Sequence, residues 1–166
     1  MKLSTKGRYA VMAMADLASR EDNKPVTLGE IAQRQEISQA YLEQLFAKIR
    51  KSGLVNSTRG PGGGYSLSRA PHEINISDVI LAVDEPMKVT RCELHSTKGC
   101  MRSGRCMTHD LWEELGRHLH LFLGSISLAD VVENRVLGLA GSMPFAVHPP
   151  RDEGLQTQVK AAGARN

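Results

Sequence analysis

The sequence predicts a mainly α-helical chain with a small β-wing: a winged helix-turn-helix joined to a long dimerisation helix. Three observations predict it. Two short amphipathic segments, each opened by a capping residue, are separated by a turn of about three or four residues. Directly after them, Arg59-Gly60-Pro61-Gly62-Gly63-Gly64 lies between two short β-prone runs. Further on, Thr108 to Leu123 carries the longest helical apolar stripe in the chain.

In order, Ser4 is placed to cap a helix with Tyr9, Val11, Met12, Met14, Ala15, Leu17 and Ala18 on a broad apolar face. Asp22-Asn23-Lys24-Pro25 stops it. Thr27-Leu28-Gly29-Glu30 has the form of a capping box, and Leu28, Ile31 and Ala32 give the next helix its buried stripe. Ser38 caps a third, with Tyr41, Leu42, Leu45, Phe46 and Ile49 apolar. It ends in Arg50-Lys51-Ser52-Gly53, cations in the last turn and glycine beyond, as the helix dipole and C-cap geometry prefer. Leu54 to Thr58 then reads as a strand and Tyr65 to Leu67 as its return.

The glycine-rich loop between these strands is not a nucleotide cradle, because no helix N-terminus follows and no Gly-Lys-Ser/Thr closes it. As a wing tip, its glycines permit close approach to a phosphodiester. Arg59 is then free to reach a narrow groove of strong negative potential. Ile76-Ser77-Asp78 opens a short helix through Val79, Ile80, Leu81 and Val83, stopped at Pro86. The long helix presents Leu111, Trp112, Leu115, Leu119, Phe122 and Leu123, a stripe that either meets a second copy or packs against the first helix. Ser127 to Val132 gives one more short helix, and from Gly141 the composition is that of a disordered tail. The expected division is 1–85, a DNA-binding domain; 86–107, a ligand-binding loop; 108–140, the dimerisation helix and short C-terminal helix; and 141–166, the tail.

Charge is divided unevenly. Residues 1–70 carry eleven Lys/Arg against six Asp/Glu, and residues 71–166 carry ten against twelve. A basic first half fits a polyanion partner there alone, although a solvated surface gives the same count. No secretory signal is visible, and no apolar run is long enough to cross a bilayer. The thiols number three and are clustered, which argues against a disulfide framework and for a cytoplasmic protein.

All three cysteines fall between Cys92 and His109, with Cys100 and Cys106 inside. Three thiols and an imidazole make a four-ligand set for an iron–sulfur cluster or for structural zinc, and the spacing alone leaves these even. His95 is an alternative fourth ligand; His118 and His120 read as ordinary helix-surface residues. Arg91, Lys98, Arg102 and Arg105 surround the thiols and favour their anions. No Cys–His–Asp arrangement or substrate-pocket signature points to an enzyme.

Lys6-Gly7-Arg8-Tyr9-Ala10-Val11, Tyr41-Leu42-Glu43-Gln44-Leu45-Phe46, Gly53-Leu54-Val55, Arg59 to Tyr65 and the Cys/Cys/Cys/His set closely resemble the iron–sulfur cluster assembly regulators. These form part of a bacterial winged-helix family of iron and redox sensors. The resemblance runs from Met1 to about Leu139. It implies a homodimeric transcription factor, repressor or activator, that binds double-stranded DNA through a helix-turn-helix over about Leu28 to Lys51. It also implies a [2Fe–2S] cluster on Cys92, Cys100, Cys106 and His109, with [4Fe–4S] or zinc as alternatives. Related members respond to iron or nitric oxide through similar cysteines. The seven-residue gap between Cys92 and Cys100 is looser than the family spacing, and Ala40 stands where a polar residue is usual.

Ser38, Gln39, Tyr41, Glu43 and Gln44 are the candidates to meet the major groove, with Arg59, Gly62, Gly63 and Tyr65 on the wing. Gln pairs bidentately with adenine and Glu accepts from cytosine N4. Opposite any other base, Glu43 beside the phosphates is repulsive. Alternatively it pairs with Lys48 or Arg50 along its own helix.

Overall fold

A computed structural model describes residues 4–20, 24–85 and 106–138. Helices α1 (Thr5–Ala18), α2 (Leu28–Gln35) and α3 (Gln39–Lys51) come first, followed by strands β1 (Val55–Thr58) and β2 (Gly64–Leu67). A 3-10 turn at Pro71–Glu73 leads to α4 (Ile76–Ala82), and α5 (His109–Ser125) and α6 (Leu128–Val132) close the described chain.

The caps act as their residue types dictate. The Ser4 hydroxyl accepts from the Lys6 amide at 3.2 Å. Thr27 and Glu30 complete a reciprocal capping box, and the Ser38 hydroxyl accepts from the Tyr41 amide at 3.3 Å. Between α2 and α3, Glu36 takes the left-handed conformation that makes the turn. Gly53, at φ 76°, does the same after α3.

The wing is an antiparallel pair with Val55 opposite Leu67 and Thr58 opposite Gly64. A third segment joins it. The Val26 amide donates to the Tyr65 carbonyl, and the Tyr65 amide to the Val26 carbonyl, each at 2.8 Å. This brings the two backbones so close that a Cβ on Gly64 would overlap the Val26 carbonyl. The base of the wing is thereby fastened to the lead-in of α2.

One core serves all of these elements. Met14, Ile31, Leu42, Phe46 and Ile49 are fully buried together with Ile74, Val79 and Ile80. Ile126 and Leu128 belong to it as well, because the Ile76 amide donates to Ile126 and the Leu128 amide to Ile74. The α6 region therefore packs into the helix-turn-helix core. Helix α5 contributes only Phe122 and Leu123, partly buried, while Leu111, Trp112, Leu115 and Leu121 stay exposed. Cys92, His95 and Cys100, with the tail from Gly141, lie outside the described residues.

Candidate DNA-reading face and metal centre

The candidate reading face lies on α3. Leu42, Leu45, Phe46 and Ile49 anchor its inner side. That leaves Ser38, Gln39, Glu43 and Gln44 exposed on the outer one, as the helical period requires. The Gln39 side-chain amide donates to Glu43 Oε1 at 3.2 Å, so these two candidates already pair with each other. Glu43 therefore takes neither cation expected from the sequence. Lys48 Nζ lies 2.8 Å from Asp84 Oδ2, and Arg50 Nη1 reaches Ser57 Oγ on β1 at 3.5 Å.

Tyr41 and Tyr65 serve packing as well as surface. The Tyr41 ring stands edge-on to Tyr9 with centroids 6.0 Å apart, and the Tyr65 ring edge-on to Phe46 at 4.8 Å. Both are half-buried, whereas Arg59 and Gly62 at the wing tip are exposed and Gly63 is partly so.

A carboxylate on α1 ties down α2. Asp16 is buried on α1 and accepts from Arg34 Nε at 2.9 Å, Arg34 Nη2 at 2.5 Å and Gln35 Nε2 at 2.8 Å. Burial pushes its carboxyl up, but the hydrogen bonds from Arg34 and Gln35 and the charges of Arg34 and Arg20 outweigh it, leaving the group below its ordinary value. An acidic residue one position from Leu17 on the buried face was the available signal.

At the other end of the chain, Cys106 and His109 flank the start of α5. The His109 amide donates to the Cys106 carbonyl at 3.1 Å, and Cys106 Sγ lies 3.6 Å from Thr108 Oγ1. Thr108, the N-cap residue, makes no side-chain cap. The first turn of α5 lacks this side-chain cap, and an anion beside its amides would be favoured by the helix dipole.

His109 is 2% exposed, and among the described residues neither ring nitrogen has a hydrogen-bond partner. Glu113 Oε2 approaches Nε2 to 3.3 Å without the alignment of a hydrogen bond. Asp110 also lies near, with its carboxylate, that of Glu113 and a ring nitrogen of His109 all within 4.8 Å. A buried imidazole without a partner costs about 1–3 kcal/mol, a cost a ligand bond would remove.

A family profile described as Rrf2, an iron-dependent transcriptional regulator, matches residues 3–134. The chain belongs to the Rrf2 family. It is 51% identical to the HTH-type transcriptional regulator IscR of Photorhabdus laumondii over 142 residues, covering 85% of each chain. With IscR of Aliivibrio salmonicida it shares 52% identity over 137 residues, 82% of this chain and 80% of that one. Among solved structures, it is similar to T. potens IscR, with TM-score 0.65 and 38% identity over 81% of this chain and 88% of that one. The global cysteine regulator CymR of B. subtilis gives TM-score 0.67 at 32% identity, covering 81% and 98%. This Rrf2 member is an IscR-type, winged-helix transcriptional regulator that binds DNA, and it is not an enzyme. Among the described residues no helix is long and apolar enough to cross a membrane.

Proposed function

We propose that this Rrf2 protein is a cytoplasmic, homodimeric regulator of cluster-assembly genes. In this reading it senses iron–sulfur status through a [2Fe–2S] cluster held by Cys92, Cys100, Cys106 and His109. The observation that carries the reading is His109, buried at 2% exposure with both ring nitrogens unpartnered, three residues from a thiol at a helix N-terminus. An unsatisfied buried imidazole in a native fold calls for a ligand, and the donor set of thiolates and imidazole fits iron–sulfur or zinc. Bound there, a cluster would supply one-electron redox chemistry and a bond set that oxidants or iron shortage break. The protein's own part is to present a thiolate and a neutral imidazole from a single helix start.

The dimer is supported by the row Leu111, Trp112 and Leu115 on α5, three large apolar residues left exposed by the described residues. Ser38, Gln39, Glu43 and Gln44 would read the major groove, with Tyr41 supporting α3 from behind. Arg59, Gly62, Gly63 and Tyr65 would place the wing on the backbone.

Anaerobic purification followed by iron, sulfide and zinc analysis tests the cluster. A coloured protein with two irons and two sulfides per chain supports the reading, whereas a colourless one with one zinc identifies a structural site. Four of each would make the cluster [4Fe–4S], and exposing the loaded protein to nitric oxide, oxidant or iron chelator identifies the signal. For the wing, Arg59→Ala is expected to weaken operator binding several-fold and lower the slope of log affinity against log salt by about 1. Titrations at several salt concentrations check this, and an unchanged slope removes Arg59 from the interface.

A further inference from the structure

We propose that Asp84 and Glu85 are positioning residues for DNA recognition, fastening the lead-in of the cysteine-bearing segment to the ends of α1 and α3. Three helix ends meet at this two-residue step. Glu85 is 9% exposed, and its Oε1 accepts from the Ser4 backbone amide at 3.1 Å while Oε2 accepts from the Ser4 hydroxyl. That same hydroxyl caps α1. Asp84 holds the start of α1 a second time and adds the end of α3. Its carbonyl accepts from Lys6 Nζ at 3.0 Å in the first turn of α1, and its carboxylate takes Lys48 Nζ at 2.8 Å in the last turn of α3.

The step itself is rigid at the backbone. Asp84 sits at φ 53°, and the amides of Asp84 and Glu85 close the end of α4 on Leu81 and Ile80. The covalent chain passes from Glu85 directly into 86–105, which carries Cys92 and Cys100. The inference is that a ligand on those cysteines acts on recognition through this joint, which holds α3 and α1 together. The ligand-dependent part of this inference rests on the cluster reading proposed above. The joint itself stands on the contacts alone.

The test uses the full chain, metal-free and reconstituted with iron and sulfide, on a duplex selected in vitro with the wild-type protein. Asn adopts positive φ as readily as Asp, so Asp84→Asn keeps the backbone and removes the charge. Asp84→Asn is expected to reduce the ratio of loaded to metal-free affinity by about two- to fivefold, the scale of one exposed pair. Glu85→Gln, at a buried charged cap, is expected to reduce it about tenfold. Iron content should be unchanged in both. Lys48→Met combined with Asp84→Asn should lose no more than either alone, because each removes the same contact.

A ratio unchanged in both variants overturns the proposal, as does a wild-type ratio of one with iron bound. Additive losses in the double variant overturn the Lys48 route. If the wild type holds no iron, the cluster reading fails and the joint is decided on the metal-free protein. There, Glu85→Gln and Asp84→Asn must speed amide exchange at Ser4–Arg8 and in the last turn of α3 and must weaken duplex binding. Unchanged exchange or binding sinks it.

Discussion

His109→Leu is expected to stabilise the metal-free chain by about 1–2 kcal/mol while abolishing metal binding altogether. The two effects have opposite sign because they share one cause. The imidazole is removed from water and, among the described residues, neither nitrogen is hydrogen-bonded, with Glu113 Oε2 3.3 Å from Nε2 but not aligned, so the ring bears a desolvation cost. Leucine fills a similar volume without polar atoms. Glu113, whose side chain is 20% exposed, keeps access to water when the ring beside it is lost. Loaded with metal, the balance reverses, since removal of one ligand from the proposed four-ligand set outweighs any gain from an apolar replacement. Urea titration of metal-free protein measures the first effect and iron content after anaerobic reconstitution the second. A His109→Leu chain less stable than wild type would mean that the nitrogens are satisfied in solution, and the site would lose its principal support.

What the sequence made legible divides by the range of the interaction. The capping box at Thr27/Glu30 and the Ser38 cap join residues three apart, so residue type and spacing suffice to read them. The helix-turn-helix and wing followed from such signals, with β1 starting at Val55 rather than Leu54 and α5 at His109 rather than Thr108. Contacts between distant residues were not legible. The Glu85–Ser4 bonds span 81 positions, and the pairing of Val26 with Tyr65 joins segments that carry no shared pattern. Neither lies within any window of periodicity.

The candidate site was half legible for the same reason. Residue type marked His109 as a ligand beside clustered thiols, but its burial depends on how α5 meets the rest of the fold. Glu43 illustrates the converse error. Helical spacing offers Lys48 as a partner, yet Asp84 takes that cation from another element and Gln39 supplies the nearer donor. Likewise Tyr41 and Tyr65 combine an aromatic surface with a ring edge in the fold, and sequence alone cannot separate those two uses.

Asp16→Asn is expected to cost about 2–3 kcal/mol, the largest loss of stability among the single changes considered. The carboxylate is buried and receives three hydrogen bonds from α2, two of them from a guanidinium. The side chain of Arg34 is 38% exposed and recovers water when its partner is neutralised, which holds the loss below that of a fully buried pair. The pH dependence has a definite sign. Desolvation raises the Asp16 carboxyl, but hydrogen bonds and charges from Arg34, Gln35 and Arg20 bring it below its ordinary value of 3.8. A group depressed on folding stabilises fully above its unfolded value, and that contribution disappears as pH falls through the lower folded one. Wild type and Asp16→Asn should therefore differ by a constant amount from neutral pH down to about pH 5 and converge only below about pH 4. Subtracting the two curves isolates Asp16 from Glu30, Asp84 and Asp130, which are also held low by their hydrogen-bond partners. Because this network sets the angle of α2 on α1, and α3 packs on both, the variant should also lose operator affinity at temperatures where it remains folded. Full affinity in a folded Asp16→Asn protein would show that α3 is oriented by the apolar core alone, through Leu42, Phe46 and Ile49.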